Sequence, residues 1–307
     1  MVVKKQGVLI LILSVLFVVP GVKADNYILK DAENFAALFS ENSKLSSESI
    51  QKRYLDVGTK GIDIFTPNRI QNASNLLSAI TSNKGDYEKA LKICLPAVRN
   101  LNVEANDMLN KIRGLLKQDF SAPVYILFGA NNSGGTATEA GLSLGLEVLC
   151  QFAETEEEFK EVLLAFIAHE VVHVYQSHLQ LYSQTKESDS PTLLAHALVE
   201  GVADFMAYLA LGKITQSEFE RHEYGLENES KTWASFKSSM HKTELGDWMY
   251  KQGVADKPSD MGYWVGKRIA EAYYNNAQDK SKALKELLLL EDPESILAIS
   301  GYDPVKK

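Results

Sequence analysis

The sequence predicts a mostly helical α+β fold with its few strands confined to residues 122–150. Three observations carry the prediction. Apolar residues recur at helical spacing along residues 155–178, a run without Gly or Pro, and again along residues 192–211. Strand-forming residues cluster at Pro123-Val-Tyr-Ile-Leu-Phe128, followed by the turn-forming Gly129-Ala-Asn-Asn-Ser-Gly-Gly135 and by residues 141–149, which can return as the second arm of a hairpin. The rest is divided by Gly, Pro and capping residues into helix-length pieces.

Taken in order, the chain opens with Lys4 and Lys5 ahead of an apolar run from Val8 to Val19, and Ala24 then offers a small residue before Asp25. That is the layout of an export signal. Residues 1–24 are therefore expected to be removed, leaving a periplasmic or secreted chain without a stable membrane anchor. Loss of Lys4, Lys5 and Lys23 takes the formal charge from −8 to −11. So acidic a chain is a poor partner for nucleic acid.

Residues 25–118 read as an N-terminal helical region. Asp31 can cap a helix running to Phe39, two more fall at about 49–55 and 68–80, and a longer one from Asp86 is kinked at Pro96 and ends near Lys117. Residues 119–307 form the second region. Pro191 suits the opening of its 192–211 helix and Gly212 its end, and two short helices follow Asp279 and Asp292-Pro293. Cys94 and Cys150 are the only cysteines; in an oxidising compartment they either pair or stay buried as thiols.

Inside the first long apolar run, His169, Glu170 and His173 stand in the order His-Glu-Val-Val-His. Residues four apart share a helix face, so both imidazoles can reach one ion, with Glu170 beside the same opening. Thr155 and Glu158 offer a capping box at the start of that helix. A catalytic zinc takes three protein ligands and leaves one position open, so a third donor is required. The metzincin pattern would need Gly at position 176 and His at 179, where this chain has Gln176 and Leu179. Leu198-Val-Glu-Gly-Val-Ala-Asp204 instead supplies two carboxylates on one face of the next helix. One can bind metal while the other accepts the free N–H of a ligating histidine. His196 is the rival ligand, and His178 a weaker one because it leaves the shared face. Gly201 and Ala203 are small enough to let the two helices approach closely.

An HExxH helix followed by Glu-x-x-x-Asp on a second helix resembles the gluzincin metallopeptidases, the thermolysin-like group. From about Val124 to Tyr302, with its EGxAD and GYWxG segments, the chain is also similar to an uncharacterised family of predicted bacterial zinc-dependent proteases. The resemblance implies a zincin-like catalytic core with a small antiparallel sheet and a zinc site on two packed helices. The implied ligands are His169, His173 and Glu200, with Asp204 behind them. It further implies hydrolysis of a peptide or protein substrate by a zinc-activated water with Glu170 as general base. A downstream Tyr or His would donate to the oxyanion, Tyr263 being the first choice and His222 or His241 the alternative. In such enzymes the strand before the zinc helix often forms the edge to which an extended substrate adds, which assigns that edge to residues 141–149. Gly262 and Gly266, four apart, suit close approach to another helix, for which the zinc helix is a candidate.

The alternative from a different class is an exported binding protein that keeps the scaffold without turnover. Glu170 separates the two, because holding an ion needs the ligands but not the base.

Overall fold

The computed structural model describes residues 26–41, 45–119, 122–178, 191–251 and 257–305, so the expected export signal lies outside the described residues. Helix α1 (Lys30–Ser40) turns Ala32, Phe35 and Leu38 inward at helical spacing. Asp31 does not cap it. The Asp31 carboxylate is buried and accepts the backbone N–H and the hydroxyl of Thr59, the residue that caps α3 (Lys60–Phe65). Between them, α2 (Ser47–Ile50) is capped by Ser46 and continues through a wider π-helical turn to Leu55. Asn72 caps α4 (Ala73–Ser82). The long helix expected from Asp86 is built as α5 (Lys84–Lys89), a π turn (Ala90–Cys94), α6 (Leu95–Arg99) with Pro96 in its first turn, and α7 (Asn102–Leu116). The break follows from Pro96, which has no N–H to give.

Four short strands form one sheet: β1 (Tyr27–Ile28), β2 (Val124–Leu127), β3 (Gly135–Thr138) and β4 (Gly141–Gly145), in the order β1-β2-β4-β3. Two expectations are corrected here. The sheet is mixed rather than antiparallel, since β1–β2 and β2–β4 are parallel and β3–β4 alone is antiparallel. The edge facing the long helices is β3, not residues 141–149. The Gly-rich loop after Phe128 is long enough to carry the chain past the next position in the sheet, so that it returns as β4 between β2 and β3. The burial pattern agrees: every residue of β4 is buried, whereas Gly-Thr-Ala-Thr of β3 is half-buried throughout. After Gly145 the chain turns directly into α8 (Leu146–Leu149). β1 also falls outside the stretch expected to hold the strands.

Helix α9 (Glu156–His178) carries the His-Glu-Val-Val-His motif, and its start is tied by Glu158 N–H to the Thr155 hydroxyl. The capping box is not reciprocal, because the Glu158 carboxylate takes the N–H of Glu154 instead. Helix α10 (Leu193–Leu211) runs from Thr192, whose hydroxyl accepts Ala195 N–H, to Gly212 at φ 75°. By length and composition α10 could cross a membrane, yet 72% of its apolar window is buried in the chain, as befits a core helix. Five further helices follow among the described residues: α11 (Gln216–Glu227), α12 (Glu229–Lys237), α13 (Met261–Asn276), α14 (Lys280–Leu289) and α15 (Pro293–Ser300).

The small residues act at one crossing. A β-carbon on Gly201 of α10 would run into the backbone of Gly266 and Lys267, and one on Gly266 of α13 into the carbonyl of Ala197. The close partner of α13 is therefore α10 rather than α9. One apolar core runs without a break from Phe35 and Tyr54 through the sheet to Trp264 and Leu287. Cys94 and Cys150 are joined by a disulfide, with Cα atoms 6.0 Å apart, which ties the π turn before α6 to the end of α8.

Candidate metal centre

The two histidines of α9 sit one turn apart with their rings edge to face, and their Nε2 atoms are 3.1 Å from each other. Glu200 reaches them from α10, where its Oε2 lies 3.2 Å from His173 Nε2 and 3.3 Å from His169 Nε2. Each imidazole is turned by a bond at its other nitrogen. Asp204 Oδ1 is 2.8 Å from His169 Nδ1, and Gln176 Oε1 is 2.7 Å from His173 Nδ1, while the Gln176 amide donates to Val199 O. Both partners accept, so each ring carries its proton on Nδ1 and aims an Nε2 lone pair at the other two donors.

Three electron-pair donors facing one point repel each other unless a cation sits between them. Donors arranged tetrahedrally about 2.0–2.1 Å from a zinc ion stand roughly 3.3–3.4 Å apart, close to the spacing observed. His169, His173 and Glu200 could therefore hold a metal ion. The local field favours positive charge at this point, which a proton or a metal ion can supply. Burial opposes a charge on His169, yet Asp204 and Glu200 outweigh it and keep its pKa well above the usual imidazole value. Burial alone would push Glu200 up, but His173 and His169 hold it well below the usual carboxylate range. For Asp204 burial is again overcome, first by the Arg221 guanidinium and then by His169.

Arg221, on α11, donates to Asp204 Oδ2 at 2.7 Å and to Ser217 O at 3.1 Å. Behind it the buried Lys267 of α13 bonds Glu218 of α11, whose other oxygen accepts the Thr215 hydroxyl. The carboxylate that orients His169 is thus neutralised from the protein side.

A cleft of about 670 Å³ opens beside His169, the one of the three donors that lines it. Its sheet wall is Asn132, Ser133 and Gly134 at the entry to β3; opposite stand Arg221, Asp260 and Tyr263. Glu170 lines the same cleft, packed directly under β3. A β-carbon on Gly135 would come within 2.7 Å of Glu170 Oε1, so this strand residue has room for hydrogen alone. Tyr263 lies with its ring 6.3 Å from that of His169 and parallel to it, under the Arg221 guanidinium at 5.3 Å. Burial, and then the Glu200 charge, push its phenol well above the usual pKa, so the hydroxyl keeps its proton.

The other histidines are elsewhere. His241 is exposed and bonds Glu294. His222 is on α11, away from the cleft wall, and its pKa is lowered by burial and by Lys267. His196 faces the edge of Tyr250 rather than the donor cluster, and the side chain of His178 lies outside the described residues. Three further side chains at the centre escaped the sequence reading: Gln176, Arg221 and Tyr250, whose hydroxyl donates to Glu200 Oε1 at 2.9 Å. Gln176 carried a signal, being a polar residue one turn beyond His173 on an apolar helix. Arg221 and Tyr250 carried none, since neither belongs to a motif.

Residues 34–288 match the model of a family described as "Putative zinc dependent peptidase (DUF5700)". No curated protein and no solved structure matches the chain.

Proposed function

The chain belongs to that family of zinc-dependent peptidases, and from this premise we propose that it hydrolyses peptide bonds at the centre formed by His169, His173 and Glu200. The observation that carries the proposal is the convergence of two imidazole nitrogens and one carboxylate oxygen within 3.1–3.3 Å, next to a cleft lined by His169 and Glu170. His169, His173 and Glu200 would hold the zinc, and the bound ion would supply Lewis acidity toward water and a peptide carbonyl.

The remaining tasks fall to the protein. Glu170, not needed as a ligand, takes the proton of the attacking water and returns it to the leaving amine. Tyr263 keeps its proton beside His169 and donates to the carbonyl oxygen as charge builds there. Arg221 holds Asp204 ionised, and Asp204 holds the ring of His169. An extended peptide fits the open side of β3, where unpaired backbone groups at a half-buried edge can take one more strand. The Asn132–Gly134 wall and the ring of Phe166 then flank its side chains. The Cys94–Cys150 disulfide supports function in an oxidising compartment, in keeping with an export signal at 1–24 and a periplasmic or secreted site of action.

The test is hydrolysis of a mixed peptide library by the zinc-loaded protein. Cleavage should stop with a chelator and return with zinc. A zinc-loaded protein that cleaves nothing would instead be a binding protein on a peptidase scaffold.

A further inference from the structure

Glu200 has two oxygens, and they face different company. Oε2 points at the two imidazoles, while Oε1 accepts the hydroxyl of Tyr250 at 2.9 Å. Tyr250 reaches it from the segment between α12 and α13, far from Glu200 in sequence, and the residue is 54% exposed, so packing alone does not explain its position.

The backbone explains it. Tyr250 sits at φ 59°, in the left-handed region that a side chain of this size rarely enters, and Asp260, which opens α13, sits there too at φ 58°. Such a backbone is disfavoured for a residue with a side chain and persists only where the surroundings enforce it. Here one bond joins the two: Tyr250 N–H donates to Asp260 Oδ1 at 2.6 Å. The ring is then fixed edge-on between Tyr263 and His196. Both strained residues therefore serve to aim one hydroxyl at one oxygen.

We propose that Tyr250 is a positioning residue that keeps Glu200 a one-oxygen ligand. This rests on the reading of His169, His173 and Glu200 as a zinc site. A carboxylate free to swing can give both oxygens to an ion and fill the position that substrate needs. With Oε1 engaged by a phenol, only Oε2 is offered, and the open position is kept.

Tyr250→Phe removes the hydroxyl and little else. The full chain is loaded with zinc and, separately, with cobalt, whose visible absorption weakens as its coordination number rises. Zinc affinity is read by competition with a chromophoric chelator, and folding by thermal melting. The expected result is about tenfold weaker zinc binding, weaker cobalt bands and an unchanged melt. Asp260→Ala keeps the hydroxyl but releases the backbone that aims it, and should show the same change in smaller measure. Wild-type zinc affinity and wild-type cobalt bands in Tyr250→Phe would overturn the inference while leaving the zinc site standing. A wild-type chain that takes up no zinc would overturn both.

Discussion

The two flanks of helix α9 are built on different principles. Toward α10, α11 and α13 the protein is closed: backbones touch at Gly201 and Gly266, and the buried acids Asp204 and Glu218 are each paired with a cation, Arg221 or Lys267. Toward the sheet it is open, with a half-buried strand edge over Glu170 and a short helix, α8, whose buried acid has no such partner among the described residues. That acid is Glu147, fully buried, which accepts the N–H groups of Gly129 and Asn131. The consequence appears in the two sets of carboxylates. Asp204 is held ionised, whereas burial drives Glu147 up to about 7 despite its backbone donors. The closed flank fixes the three donors by charge and packing; the open flank presents a half-buried strand edge.

The largest effect should come from breaking the closed flank. Gly266→Val drives a side chain into the α10 backbone, which cannot move aside as a side chain would, so the loss should exceed the ~1–3 kcal/mol typical of overpacking. Thermal melting reads it, and the same residue at Gly114, where nothing lies within 4 Å, should cost much less.

Next is the acid of the open flank. Since the folded pKa of Glu147 lies above its unfolded value, the native state retains a proton that the unfolded chain has given up between pH 4.5 and about 7. This stability is fully present at low pH and is lost as pH rises through that window, by up to about 3 kcal/mol. Melts of wild type and Glu147→Gln at pH 5 and pH 8 should differ in slope. The decline with pH should be smaller in the variant, and equal slopes would remove Glu147 from the account.

The partners of the two imidazoles sharpen the comparison within the closed flank. Asp204→Asn should weaken zinc binding by about 10–100-fold, and Gln176→Leu by less, because a neutral amide lends its ring less basicity than a carboxylate does. Chelator competition ranks the two, and the reverse order would be contrary. The smallest change is Gly135→Ala. It should displace Glu170 and lower turnover by about tenfold while zinc content stays as in wild type.

Much of this was legible in the sequence, for a physical reason. His169 and His173, and likewise Glu200 and Asp204, are spaced by helix geometry, which is local, and the caps at Thr192, Asp279 and Asp292 are local too. What was not legible depends on tertiary neighbours. Periodicity identifies a strand but not its place in a sheet, so the edge was assigned to 141–149 when it belongs to β3. β1 is two residues long and has no period to read. Asp31 looked like a cap because it precedes an apolar stripe, but its acceptor capacity is used on Thr59 in the next layer. Arg221 and Tyr250 meet their partners across loops with no fixed spacing, and only folding brings them there.

The most direct test of the central claim is zinc content and peptide turnover measured together on wild type and Glu170→Gln. The variant should keep about one zinc per chain and the wild-type melt, because its residue is not a ligand. It should lose about 10² to 10⁴ or more in rate, because the same side chain is asked both to take a proton and to give it back. A Glu170→Gln protein that cleaves peptides at the wild-type rate would contradict the account.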